Sequence, residues 1–160
     1  KVESSNRWGF ELGFSFNYIL NNNVELRINP VGAFEEDEII YTTNGSIEKL
    51  LFSPMYAKLP FHSIIKINNK VPIGIILGCT SSFQVQEKKD APIAQVQLKK
   101  YDFSLDIGIN YPIKFRSFTM CPEIRFAKSL VDAAGDNNTE YGKAISSYYR
   151  DKFNFGLYFY

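Results

Sequence analysis

Trp8-Gly9-Phe10-Glu11-Leu12-Gly13-Phe14-Ser15-Phe16-Asn17-Tyr18-Ile19-Leu20 alternates large apolar side chains with small or polar ones. In an extended chain Trp8, Phe10, Leu12, Phe14, Phe16, Tyr18 and Leu20 share one face, and Gly9, Glu11, Gly13, Ser15, Asn17 and Ile19 share the other. A period of two marks a strand whose two faces meet unlike surroundings. The stretch Tyr101 to Tyr111 repeats it, with Tyr101, Phe103, Leu105, Ile107, Ile109 and Tyr111 against Asp102, Ser104, Asp106, Gly108 and Asn110.

Working outward, the same alternation predicts strands over Val24–Phe34, Val71–Val85, Phe118–Lys128 and Tyr148–Tyr160. Leu51–Ile67 is extended in composition, but its faces do not separate by pattern. Seven strands result, with almost no helical periodicity. Their links alternate in length. Asn21-Asn22-Asn23, Asn68-Asn69-Lys70 and Pro112–Arg116 are short, whereas Glu35–Leu50, Gln86–Leu98 and Ser129–Ser147 are long. Short turns on one rim and long loops on the other characterise outer-membrane barrels, whose single-chain bacterial forms have even strand numbers. The expected fold is a small all-β, antiparallel, up-and-down transmembrane barrel with eight strands when intact. One strand would then precede Lys1, or be supplied from elsewhere. Glu38–Thr43 is the alternative eighth strand, at the expense of the loop alternation.

The bulk properties fit a single domain over residues 1–160. Apolar residues are 45% and aromatics 16% of the chain, and the net charge of +1 gives no field for nucleic acid. No uncharged apolar run approaches the ~18 residues of a membrane-spanning helix, a test that barrel strands escape. Starting at Lys1 with no visible leader, the chain reads as a mature or trimmed product. Cys79 and Cys121 fall on opposite strand faces, and so are expected to stay unpaired, Cys79 as a small lipid-facing hydrophobe.

A soluble ligand-binding barrel also alternates, with its apolar face inward. Four features favour the reverse. The polar face is rich in Gly, Ser and Asn and poor in Lys and Glu. Aromatic residues (Trp8, Tyr18, Tyr101, Tyr111, Phe118) gather at strand ends, as an interfacial girdle requires. The loops are asymmetric, and the chain ends in Phe155-Gly156-Leu157-Tyr158-Phe159-Tyr160, similar to the aromatic terminal signal of outer-membrane barrels.

With apolar faces out, the lumen receives Glu11, Glu25, Asp102, Asp106 and Glu123 together with Arg27, Lys100, Arg125, Arg150 and Lys152. Charges confined in a low-dielectric tube must pair. They could line a selective pore or proton path. An eight-stranded barrel has room only for side chains, which favours a structural ion-pair core. His62, the single histidine, is expected near a turn, and the sequence supports no hydrolytic triad around it, so no catalytic residue is assigned. Glu35-Glu36-Asp37-Glu38, and Asp132 with Asp136 and Glu140, could hold divalent cations near lipopolysaccharide, but neither has a calcium-loop spacing and both read as solvated loops; no metal or cofactor is expected. Pro30, Pro54, Pro72 and Pro122 interrupt predicted strands and should mark bulges or rims.

Several ordered segments resemble the PorT family, also called SprT, outer-membrane barrel proteins of Bacteroidetes type IX secretion and gliding motility. They are Leu26-Arg27 with Pro30-Val31-Gly32, Pro54-Met55-Tyr56-Ala57-Lys58, Asn68-Asn69-Lys70-Val71-Pro72, Leu98-Lys99-Lys100-Tyr101-Asp102 with Gly108, and Pro122-Glu123-Ile124-Arg125-Phe126. Phe52 stands where the family often has Glu, and Phe159-Tyr160 ends the chain where the family often ends Phe-Glu. The resemblance implies a non-enzymatic accessory of a protein-export translocon, multi-pass in the outer membrane. Its contacts would be with lipid, lipopolysaccharide and other secretion-system proteins, with no nucleic acid or small-molecule substrate. An independent small barrel, adhesive or structural, is the alternative.

Overall fold

The computed structural model describes residues 2–6, 9–43, 46–67, 72–89, 99–132 and 149–160. Among them the strand segments are β1 (Val2–Asn6), β2 (Phe10–Gly13), β3 (Phe16–Ile19), β4 (Val24–Ile28), β5 (Val31–Phe34), β6 (Asp37–Thr43), β7 (Ser46–Lys66), β8 (Gly74–Lys89), β9 (Tyr101–Asn110), β10 (Ile113–Lys114), β11 (Thr119–Ser129) and β12 (Lys152–Phe159). All belong to one antiparallel sheet, curled into part of a barrel.

The register reduces these segments to seven staves. β4, β5 and β6 pair with β7 in one unbroken register, from Val24↔Ile65 through Val31↔Lys58 to Thr43↔Ser46. β9 and β10 likewise share one register against β11, Asn110 facing Glu123 and Ile113 facing Met120. β2 and β3 keep a common register against β5 and β4, while β1 is offset by one residue, since Asn6 faces Asp37 but Phe10 faces Phe34. The staves are therefore β1–β3, β4–β6, β7, β8, β9–β10, β11 and β12, each paired to the next. β12 and the β1–β3 stave are the two edges.

Prolines explain why continuous staves break into segments. A proline offers its neighbour a carbonyl but no N–H. Pro30 accepts from Phe14 N, at the break between β2 and β3. Pro60 accepts from Asn29 N, where β4 gives way to β5, and Pro54 from Glu35 N, where β5 gives way to β6. Pro122 accepts from Tyr111 N, where β9 gives way to β10. In each pair the return hydrogen bond is missing, so the ladder lapses while the register persists. The expectation of bulges or rims is thus corrected for Pro30 and Pro122, which sit in register within their staves. Only beside Pro54 does the ladder to β8 slip, between Met55 and Tyr56.

The long polar loop expected over Glu35–Leu50 is also corrected. β6 extends the β4–β5 stave and pairs back onto β7 from Asp37↔Phe52 to Thr43↔Ser46, with β1 along its other side, so this segment is a three-stranded extension of staves already in the wall rather than an eighth wall position. Its far end, Thr43 and Ser46, lies toward the same rim as the ends of β8 and β11 and the starts of β9 and β12. The opposite rim carries the short connections, such as Leu20 N to Val24 O and Phe115 N to Phe118 O.

The faces are inside-out relative to a soluble protein. Phe14 is 76% exposed, Ile107 56% and Phe155 71%, whereas Asp106 is 4% exposed and Glu123 2%. β9 alternates strictly, Asp102, Ser104, Asp106 and Asn110 buried against exposed Tyr101, Leu105, Ile107 and Ile109. The faces of β7, illegible in sequence, resolve here. Pro54, Tyr56, Lys58, Pro60, His62 and Ile64 point inward, and Ser53, Ala57, Leu59, Phe61 and Ile65 outward. Trp8 lies outside the described residues.

Candidate functional site

The inward face concentrates chemistry in stacked layers of charge. The middle layer forms because β4, β7, β9, β11 and β12 each turn a polar residue to the same depth. Arg27 NH2 lies 2.5 Å from Glu123 Oε2, and Arg125 Nε lies 2.6 Å from Glu123 Oε1. Arg125 NH1 stands 3.5 Å from Asp106 Oδ2. Two guanidiniums and two carboxylates thus alternate in a chain with matched charge. The Arg27 guanidinium also stacks over the Tyr158 ring, 4.3 Å from its centroid, and the Tyr158 hydroxyl accepts from Asn29 Nδ2 at 3.0 Å.

His62 belongs to this layer. It was expected near a turn, but it sits mid-strand in β7 and is fully buried. Its Nε2 is 2.8 Å from Asp106 Oδ2 and 3.0 Å from Arg125 NH1. Arg125 is a donor only, and the carboxylate only accepts, so the tautomer that donates Nε2–H to Asp106 satisfies the ionised acid. Asp106 collects further donors from Thr80 Oγ1 at 2.5 Å and Ser104 Oγ at 3.1 Å. The hydroxyls therefore bind the carboxylate, not the imidazole, and His62 Nδ1 has no partner. A nucleophile activated by histidine needs the opposite order.

Room for these large groups comes from glycines on facing staves. A Cβ on Gly78 would meet Phe61 O and come within 2.7 Å of His62 Cδ2. A Cβ on Gly108 would meet Ile124 O and come within 2.6 Å of Arg125 Cγ.

Toward the long-loop rim a second layer is built around Lys58. Its ammonium bridges Glu11 Oε1 and Glu35 Oε1, each at 2.5 Å, and Glu35 also pairs with Lys152. Asp102 takes a hydrogen bond from Ser129 Oγ at 2.6 Å. Arg150 donates to Lys99 O at 3.2 Å and lies over the Tyr56 ring. A small polar hollow between the layers is lined by Lys58, Thr80, Asp102, Arg125 and Arg150, among others. Toward the other rim, Glu25 stands 3.7 Å from Lys66.

Of the ten residues placed in the lumen from sequence, Lys100 is exposed at the long-loop rim, where its carbonyl accepts from Gln84 N one pair beyond Phe83↔Tyr101. Glu35, read as part of a solvated acidic loop, is corrected, because it is a lumen counter-ion shared by two lysines. Asp136 and Glu140 lie outside the described residues. Sequence reasoning missed Lys58, Glu35, His62, Thr80 and Tyr158. Lys58 and His62 were hidden by the irregular face pattern of β7. Once one residue of that stave is fixed inward, parity places the others. Cys79 and Cys121 are both free, Cys121 buried on the lumen side and Cys79 half-buried on the outer side. Among the described residues no group of three or more His, Cys, Asp or Glu could hold a metal ion.

Fold and site together define a class: an antiparallel barrel wall, apolar outside, with an ion-paired polar interior. Comparison of the chain with protein-family models, curated proteins and solved structures gave no match.

Proposed function

We propose that the chain is the wall of a small β-barrel of a bacterial outer membrane, working through its surfaces rather than through catalysis. The observation that carries this reading is the inversion of burial, phenylalanine and isoleucine out and aspartate, glutamate and arginine in. In water the exposed apolar face would be an aggregation liability; in hydrocarbon it is the expected solvent-facing surface. The short-turn rim then faces the periplasm, and the rim with the β6–β7 extension faces outward.

The lumen reads as a structural plug. Arg27, His62 and Glu123 fill its middle and are tied across it by the ion chain. Taken with the resemblance to the PorT family, a plugged, non-enzymatic barrel suits an accessory of the type IX protein-secretion machinery. It would recruit partners through its outer wall, its long-loop rim or its periplasmic turns. An independent adhesive or structural barrel is the competing reading.

Mild-detergent extraction from the native membrane tests both levels. The proposal expects the protein in the outer-membrane fraction, with gel mobility that changes on boiling, and co-purified with secretion-system components. Recovery in the soluble fraction would defeat the barrel reading. A membrane barrel that purifies alone, and whose deletion leaves secretion intact, would leave the barrel and remove the secretion role.

A further inference from the structure

Charge divides unevenly between the short and the long links. In the sequence the short links 21–23, 68–70 and 112–116 hold three cations, Lys70, Lys114 and Arg116, and no acid. The long links 35–50, 86–98 and 129–147 hold ten acids against four cations. At the short-turn rim Lys66 has Glu25 at 3.7 Å. Lys114 and Arg116 are exposed, and among the described residues neither makes an ion pair.

Both belong to a hairpin whose tip is apolar. β10 and β11 pair Ile113 with Met120 and Lys114 with Thr119. Phe115 N then donates to Phe118 O at 2.9 Å, which leaves Arg116 and Ser117 as the turn. Tyr111, Ile113 and Phe115 continue the outward alternation of Ile107 and Ile109, and Phe118 and Met120 continue that of Ile124 and Phe126. The Phe115 and Phe118 rings stack with centroids 4.8 Å apart, and Phe118 leans on Phe159 at 6.2 Å. All three rings, and that of Tyr111, are exposed.

The rings fix the depth of the hairpin. A turn made for water ends in polar residues. Rings carried to the last pair before the turn belong at the boundary between acyl chains and headgroups. Lys114 and Arg116 then stand level with lipid phosphates, their stems along apolar surface and their charges free of any acid of the protein. Depth also chooses among anionic partners. An acidic protein segment would meet the cations but leave the rings in water. A phospholipid covers the rings with its chains and meets the cations with its phosphate. In a zwitterionic headgroup the ammonium offsets the phosphate, so a lipid of net negative charge fits the two unpaired cations.

We propose that the 111–118 hairpin docks an anionic phospholipid, its acyl chains against Tyr111, Phe118 and Phe159 and its headgroup held by Lys114 and Arg116. The proposal rests on the membrane reading given above and is independent of the secretion role. It gives the short-turn rim a preference for one lipid class that an apolar wall alone does not supply.

A single tryptophan beside the hairpin reports the lipid that touches it. The full chain with Trp8→Phe and Ile113→Trp is folded into phosphatidylcholine vesicles. These contain a minor share of dibrominated phosphatidylglycerol, or of dibrominated phosphatidylcholine with the same chains. Bromine quenches the tryptophan only on close approach, so the two titrations give relative affinity at this position. The expected result is a preference of about tenfold for phosphatidylglycerol, from two cations beside an anionic headgroup. Lys114→Gln/Arg116→Gln should bring the ratio to about one, and Lys128→Gln, at the opposite end of β11, should leave it unchanged. Salt at about 1 M should reduce the preference of the parent chain, a readout that needs no second variant. Equal quenching by the two lipids in the parent, or a preference that survives the double substitution, would overturn the inference while leaving the barrel in the membrane. Quenching by neither lipid would remove the membrane reading and this inference together.

Discussion

Replacing Glu123 with leucine isolates the energetics of the lumen. Glu123 is 2% exposed and is the only acid within ion-pair distance of Arg27 among the described contacts, while also binding Arg125. Its removal strands the Arg27 guanidinium, which is fully buried and already has Nε and NH1 unpartnered. Arg125 keeps Asp106 at 3.5 Å, so the uncompensated charge falls mainly on Arg27. Breaking one side of a buried ion pair costs about 3–5 kcal/mol, a large share of a typical domain stability of about 5–15 kcal/mol. The companion variant Arg27→Met/Glu123→Leu removes both charges and should recover most of that loss, because buried pairs contribute little net stability against apolar groups of similar volume. The assay is equilibrium urea unfolding in detergent micelles, read as the fraction of protein with folded gel mobility. At a slope of about 2 kcal/mol per molar urea, the single variant's midpoint should drop by about 1.5–2.5 M. A drop under about 0.5 M for Glu123→Leu, or a double variant no better than the single, would refute the claim that the lumen is a closed ion-pair core.

Other substitutions probe the glycine spaces, the outer face and the lumen contacts of Tyr158. Gly78→Ala places a methyl against Phe61 O and the His62 ring, and should cost about 1–3 kcal/mol in the same unfolding assay, with Ser81→Ala a near-neutral control. Ile107→Arg, in mid-strand on the outer face, should lower folding stability in lipid vesicles by about 2–4 kcal/mol, whereas a soluble barrel would tolerate it. Tyr158→Phe deletes only the hydroxyl that accepts from Asn29 and should cost about 0.5–1.5 kcal/mol, and Tyr158→Ala, which also removes the ring over Arg27, should cost clearly more.

The alternation in Trp8–Leu20 and Tyr101–Tyr111 was enough to establish the staves and their faces, because each borders two very different media and tolerates no one-residue slip. Stave β7 was harder to read. Its inward side carries Pro54, Tyr56, Pro60 and Ile64, and its outward side includes Ser53, Ala57 and Ser63, so hydrophobicity does not separate the faces. Lys58 and His62 were lost to the site for that reason. The β6–β7 extension left a signal that was not weighed: Asn44-Gly45 stands between Thr43 and Ser46, a strong two-residue hairpin sequence. The acidic run beginning at Glu35 resembled a loop because local composition cannot show that Lys58 and Lys152, distant in sequence, converge on its first member. Lys100 continues the register of β9 against β8, its carbonyl bonded to Gln84 N, and parity alone does not show that the residue is exposed at the rim.

Spin labels at Leu105, Ile107 and Ile109 address the central claim most directly, with Lys100 as the water-exposed reference and Cys79 and Cys121 replaced by serine. In lipid vesicles the three outer-face labels should collide readily with molecular oxygen and scarcely with a water-soluble nickel chelate, the reverse of the Lys100 label. Nickel accessibility at Leu105, Ile107 and Ile109 equal to that at Lys100 would place this face in water and contradict the membrane barrel.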